Sequence, residues 1–209
     1  MTSSVLATHC ALFCDHNVDV LSQQFNPAFI EHSPYVANGL DGLRTLVKEC
    51  PDIHYECLSA LRSGEWALLC GTFTGLDAQP LTGFDLYQLD TQERPVAHWD
   101  VLSEAAFDTR PPQHPLSPPA APDSLSFVHR TTQQRMTATT DQPHLCCDIL
   151  HRIIAQGDLV FTLSEGHAGK QRYAIAELWQ TDGRAVMGRW PTAAPIPSDA
   201  EAVHSHGLF

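Results

Sequence analysis

"GFDLYQLDTQERPVAHWDVLSE", residues 83–104, reads as two strands joined by a polar turn. Successive side chains on a strand point to opposite faces. Asp85 and Tyr87 therefore share a face opposite Phe84 and Leu86, and His98 and Asp100 share a face opposite Trp99. If the two strands pair through "DTQER", two carboxylates and an imidazole gather on one side of an antiparallel sheet. Were helices to cover that side, the carboxylates would sit in an apolar pocket. Burial raises a carboxyl pKa and a neighbouring like charge raises it further, which prepares one carboxyl for acid–base work near neutrality. The alternative is a polar row facing water, common on antiparallel strands.

Outward from this hairpin, "IHYECLSALR" alternates, "SG" makes a turn and "EWALLCGTFTG" reads as a largely buried partner. Together they predict a sheet of about four strands. Ahead of it, apolar residues at helical spacing (Leu6, Cys10, Phe13, Cys14, Leu21) predict a helix from Val5 to about Gln24. A second short helical element is expected before "EHSPYVANGLDG". Asp41 is then expected to cap a helix with Leu43, Leu46, Val47 and Cys50 on one face, stopped by Pro51. Helices followed by an antiparallel sheet make an α+β plan.

"DTRPPQHPLSPPAAPDS", residues 108–124, holds six prolines and reads as an extended linker. Beyond it, "CDILHRIIAQGDLVFTLSEG", "KQRYAIAELWQ" and "RAVMGRWPTAAP" repeat the strand order of the first half. Gly64 matches Gly157, Leu86 matches Leu178 and Trp99 matches Trp190, the spacing drifting by one residue per loop. That register predicts an internal repeat. In it Asp85 becomes Glu177, His98 becomes Arg189 and Asp100 becomes Pro191, which must lie at an edge or strand end. The expected organisation is a first module at 1–107, the linker at 108–124 and a pared-down second copy at 125–209.

The chain has 209 residues, 43% of them hydrophobic, with a net charge of −12. An acidic chain without basic clusters is a poor partner for nucleic acid or an anionic membrane. No apolar run approaches the length of a membrane-spanning helix, and the N-terminus lacks the marks of a signal peptide. A cytoplasmic protein is the expectation. Seven cysteines without a CxxC pair read as small buried hydrophobes. His9, Cys10, Cys14 and His16 come nearest to a metal cluster, but the histidines leave the face that Cys10 and Cys14 share. The tail "HSHG" would at most chelate adventitious metal.

"FIEHSPYVANGLDGLRTLV" together with "GFDLYQLDTQERPVAHWDVLSE" resembles the SnoaL-like polyketide cyclases of the nuclear transport factor 2-like superfamily. The resemblance rests on His32, Pro34 and Gly39, on Asp85–Leu86–Tyr87 and on His98–Trp99–Asp100. It implies a cone-shaped, curved sheet wrapped on the N-terminal helices, and small-molecule cyclase or isomerase chemistry with no cofactor and no metal. By that likeness Asp100 is the acid/base, Asp85 supports it, and His98 and His32 polarise or fix the substrate. Tyr87, Tyr35 and Phe73 are the expected substrate contacts. Members commonly pair sheet to sheet, so the second copy would act as a built-in partner in an internal pseudo-dimer, with a homodimer also compatible. The turn before Pro95 is longer than the family's and lacks its glycine, which leaves the Asp85–Asp100 register open. Two alternatives stand beside the cyclase: a non-catalytic ligand-binding or dimerisation module of the same fold, and a metal-dependent hydrolase using His32, His98, Asp85 and Asp100.

Overall fold

The computed structural model describes residues 3–113, 127–132, 145–198, 201–203 and 208–209. Most of the proline-rich stretch and the "HSHG" tail lie outside the described residues. The expected first helix is two helices, α1 (Ser3–Phe13) and α2 (Asp19–Gln24). The break falls at His16, which takes φ 52° and whose Nε2–H donates to the Ile53 carbonyl at 2.8 Å. The short element ahead of "EHSPY" is a two-residue strand, β1 (Ile30–Glu31), rather than a helix. α3 (Leu40–Glu49) follows, burying Leu43 and Val47. Its cap is Gly39 at φ 81°, not Asp41. Asp41 lies in the first turn, where a carboxylate favours the helix's positive end, and pairs with Arg44.

β2 (His54–Ser63), β3 (Trp66–Thr74), β4 (Leu81–Leu89) and β5 (Pro95–Ser103) form an antiparallel meander. β1 joins it in parallel beside β5, giving the order β1-β5-β4-β3-β2. Gly64, at φ 59°, makes the tight β2–β3 turn, a conformation that costs glycine nothing. A bulge between Cys57 and Ser59 bends β2. The β4–β5 turn does without glycine because Asp90 organises it. The Asp90 carboxylate accepts from the backbone N–H groups of Gln92 and Arg94 at 2.8 and 2.9 Å, and from Asn26 at 3.0 Å. Glu93 takes the left-handed position, φ 61°. The backbone N–H of Arg94, with smaller help from Asn26, holds the Asp90 carboxyl well below the usual carboxylate range.

β6 (Cys146–Gln156), β7 (Leu159–Ala168), β8 (Gln171–Thr181) and β9 (Val186–Pro195) make a second antiparallel sheet in chain order. Its register mirrors the first. Leu178 opposes Trp190 as Leu86 opposes Trp99, and Glu177 opposes Pro191 as Asp85 opposes Asp100. Pro191 sits on the edge strand β9, where a missing N–H is tolerated.

Each face of the first sheet is covered. On one face, α1, α2 and α3 bury Leu12, Phe13, Val20, Leu21, Leu43 and Val47 against Tyr55, Leu69, Phe73 and Tyr87. On the other, Leu86, Trp99, Phe84 and Val101 meet Phe161, Leu163, Leu178 and Trp190 of the second sheet. Phe84 and Phe161 lie 5.3 Å apart, and each such buried side chain contributes roughly 1.5–3 kcal/mol. Residues 109–113 are pinned along this packing: the Trp190 indole donates to the Thr109 carbonyl at 2.8 Å, and Ser59 donates to that of Pro112 at 2.6 Å. The seven cysteines are free. Burial, then neighbouring Cys14, pushes the Cys10 thiol to about 12. No helix among the described residues is long and apolar enough to cross a membrane.

The Tyr55 ring lies directly over Gly71 of β3; a Cβ added there would come within 2.2 Å of it. Gly71→Ala is therefore expected to destabilise the fold by about 1–3 kcal/mol through overpacking. Chemical denaturation at neutral pH checks this; an unchanged midpoint would mean the ring yields freely.

Candidate active site

Between the helices and the first sheet lies a cavity of about 670 Å³. Phe13, Leu43, Leu46, Ile53, Phe73 and Leu102 supply much of its apolar wall. At one end it meets a polar group built by three strands. The β4–β5 register puts Asp85 directly across from Asp100 and Tyr87 across from His98, while β1 places Glu31 beside His98 on the other flank. Opposed residues on an antiparallel pair have Cβ atoms about 4.5–5.5 Å apart, so the carboxylates are close neighbours.

His98 is 4% exposed, Glu31 0% and Asp85 2%. The His98 Nδ1 lies 2.9 and 3.0 Å from the two Glu31 oxygens, and its Nε2 lies 3.3 Å from Asp85 Oδ1. Both ring nitrogens thus face carboxylates, which only an imidazolium satisfies by donating on both sides. Burial opposes the charge on His98, but Glu31 and Asp85 more than offset it and raise its pKa well above the ordinary imidazole value. Glu31 also accepts the backbone N–H of Ser33 at 2.9 Å.

Asp100 differs from this row. It is surrounded by protein, yet keeps part of its surface open to the cavity. Burial raises its carboxyl pKa to about 7; the charge of His98 opposes the rise, Glu31 and Asp85 add to it, and a hydrogen bond from Ser33 opposes it. A carboxyl at that value is divided between acid and base forms near neutrality.

Of the residues expected at the site, Asp85, His98, Asp100, Tyr35 and Phe73 line the cavity. Tyr35 lies at its rim, 59% exposed, its hydroxyl 3.5 Å from the Pro195 carbonyl. Two expected residues lie elsewhere. His32 follows Glu31 on β1's path, so it turns to the opposite face, where its ring stacks on Trp99 at 4.5 Å and 7°. Tyr87 lies behind the cavity wall, stacked on His98 at 4.5 Å, its hydroxyl 2.8 Å from His9 Nδ1. Burial, partly countered by Asp85, lowers the His9 pKa to about 4, so this ring is neutral. Both ring nitrogens of His98, expected to face the substrate, are engaged by Glu31 and Asp85. Glu31, absent from the expected set, is its nearest partner.

In the second sheet the matching positions hold an ion pair. The Arg189 Nε donates to Glu177 at 2.9 Å, and the guanidinium lies 5.0 Å from the Trp179 ring centre. Among the described residues no group of three or more His, Cys, Asp or Glu side chains converges as metal ligands. His32 faces away from Asp85, His98 and Asp100, so those four do not form the hydrolase centre considered from the sequence.

No protein-family model matches the chain, and no curated protein matches it. Several solved structures do. TsrD from Streptomyces laurentii aligns over 47% of this chain and 84% of its own, at 17% identity and a TM-score of 0.40. A SnoaL-like protein of unknown function from Burkholderia thailandensis aligns over 49% and 94%, at 13% identity and 0.43. IdmH from Streptomyces antibioticus, described as a proposed polyketide cyclase, aligns over 49% and 92%, at 15% identity and 0.41. Each of these likenesses covers about half of this α+β chain and most of the other protein.

Proposed function

We propose that the chain is a small-molecule cyclase or isomerase that moves protons at carbon without a cofactor, with Asp100 as the acid/base. The observation that carries this reading is the Asp100 carboxyl, held to about 7 while facing an apolar cavity of about 670 Å³. As a carboxylate, Asp100 takes a proton from a carbon next to a carbonyl. The enolate then adds to a second carbonyl in the same molecule, forming a carbon–carbon bond. Asp100 returns its proton to the new alkoxide, so the product is an isomer of the substrate and no electrons are exchanged with the protein. Glu31, His98 and Asp85 hold the polar end of the cavity in place and help set the basicity of Asp100. The open cavity supports an enzyme over a pure scaffold, for which a hollow filled by side chains would have been the sign.

The second sheet is read as the built-in partner of the first, an internal pseudo-dimer supported by the meeting of Leu86 and Trp99 with Leu178 and Trp190. It also supplies Ala174, Ala194 and Pro195 to the cavity wall.

A substrate-independent test uses 5-nitrobenzisoxazole, whose ring C–H is removed by a base as its N–O bond breaks, releasing a coloured phenolate. The chain is expected to accelerate this elimination about 10²–10⁴-fold over buffer. Because only the carboxylate removes a proton, the rate should rise with pH through about 7 and then level off. A flat pH profile, or no acceleration, excludes Asp100 as a working base.

A further inference from the structure

The ionisable side chains of the cavity wall are mostly acidic. The wall carries Glu31, Asp77, Asp85, Asp100 and Glu104, against the single imidazole of His98. Among the described residues lining it there is no lysine and no arginine. Asp77 and Glu104 are exposed at the rim, while Glu31 and Asp85 are buried at the inner end. Field lines from such a set are focused by low-dielectric walls, so the hollow repels anions and concentrates cations. Phosphates, carboxylates and coenzyme thioesters with phosphate tails are poor guests for this reason.

One buried atom at the inner end is left without a partner. Asp85 lines the cavity with its side chain only 3% exposed, and its Oδ1 faces His98, but its Oδ2 has no hydrogen-bond partner. A buried carboxylate oxygen lacking a donor is costly, and a protonated amine supplies both the donor and the opposite charge. The remaining wall suits the rest of such a molecule. Phe13, Phe73 and Leu43 offer apolar surface, and aromatic faces attract an ammonium group directly.

We propose that the ligands of this cavity are apolar organic cations: amines whose ammonium group docks at Asp85 and Asp100 while the hydrocarbon body lies against Phe13, Leu43 and Phe73. This deepens the acid–base reading of the same cavity and rests on it for the role of Asp100.

Calorimetry on the full chain at about pH 8 compares three probes with a common body: 1-naphthylmethylamine, 1-naphthalenemethanol and 1-naphthoate. The amine is expected to bind about tenfold or more tightly than the alcohol, and the carboxylate most weakly. Asp85→Asn should remove most of the amine's advantage over the alcohol. Should that variant not fold, Asp100→Asn serves the same comparison, with the same loss expected. Equal binding of amine and alcohol, or tightest binding of the carboxylate, overturns the proposal. So does a folded variant that keeps the amine's full advantage. Failure here is separable from failure of the catalytic reading, because the elimination assay uses a neutral compound. Elimination without amine preference sinks this inference alone, and amine preference without elimination sinks only the base.

Discussion

Asp100→Asn is expected to lower the rate of base-dependent elimination by about 10²–10⁴-fold while making the chain more stable above neutral pH. Both effects come from one cause. The folded chain keeps a proton on Asp100 up to about 7, whereas an unperturbed Asp releases it near 3.8. Between those values the folded state binds more protons than the unfolded state, so stability falls as pH rises through that window. Above it the full cost of ionising a buried carboxyl is present. Asparagine carries no such cost, and its carbonyl oxygen can still accept from Ser33. At 1.36 kcal/mol per pH unit the gain at about pH 8 has an upper limit of about 4 kcal/mol. The opening of Asp100 to the cavity reduces it. Below about pH 4 parent and variant should be equally stable. Denaturation curves at the two pH values read the stability, and the elimination assay reads the rate. A variant that keeps full activity, or that is less stable than the parent at high pH, removes Asp100 from the mechanism.

His98→Ala is expected to have the largest effect on folding, a loss of about 3–5 kcal/mol near neutral pH. The imidazolium is the charge that lies between Glu31 and Asp85, both almost wholly buried. Its removal leaves two carboxylates without compensation and also removes the ring that Tyr87 stacks on. The sign of the pH dependence follows from the raised pKa of His98. Its contribution is fully present below the ordinary imidazole value of 6.5 and is lost as pH rises through the higher folded value. The gap between parent and variant should therefore be widest on the acid side and narrow in alkali. Thermal or urea unfolding across pH measures it. A variant as stable as the parent would mean that Glu31 and Asp85 do not depend on this ring.

The sheet was readable from the sequence because its strands alternate over many residues. Asp85, His98 and Asp100 could be assigned to one face from the pattern of "GFDLYQ" and "AHWDV" alone, and the register places them together. Where the ordered run is short, the pattern carried less. β1 has two residues, too few to show a period, so His32 enters the expected site by family likeness alone and Glu31 carries no sequence signal. The parallel pairing of β1 with β5, a contact distant in sequence, decides that Glu31 is the one beside His98. The helix break had a similar cause: apolar spacing ran on through residues 13–21, but His16 takes a left-handed turn and reaches the Ile53 carbonyl. The missing glycine of the β4–β5 turn was visible, whereas its replacement was not. Asp90 organises that turn through side-chain contacts to Gln92, Arg94 and Asn26, and Asn26 comes from another part of the fold.

The proline in β9 bears on how the protein behaves when crowded. Strand edges with free N–H and C=O groups invite a foreign strand to add on, the first step of sheet-growing aggregates. With Pro191 opposite Glu177 on the outermost strand, the ring stands where an amide hydrogen would point away from β8. An incoming chain finds no donor there and meets the ring instead. This break in the outer edge falls at the same position where the first sheet carries Asp100.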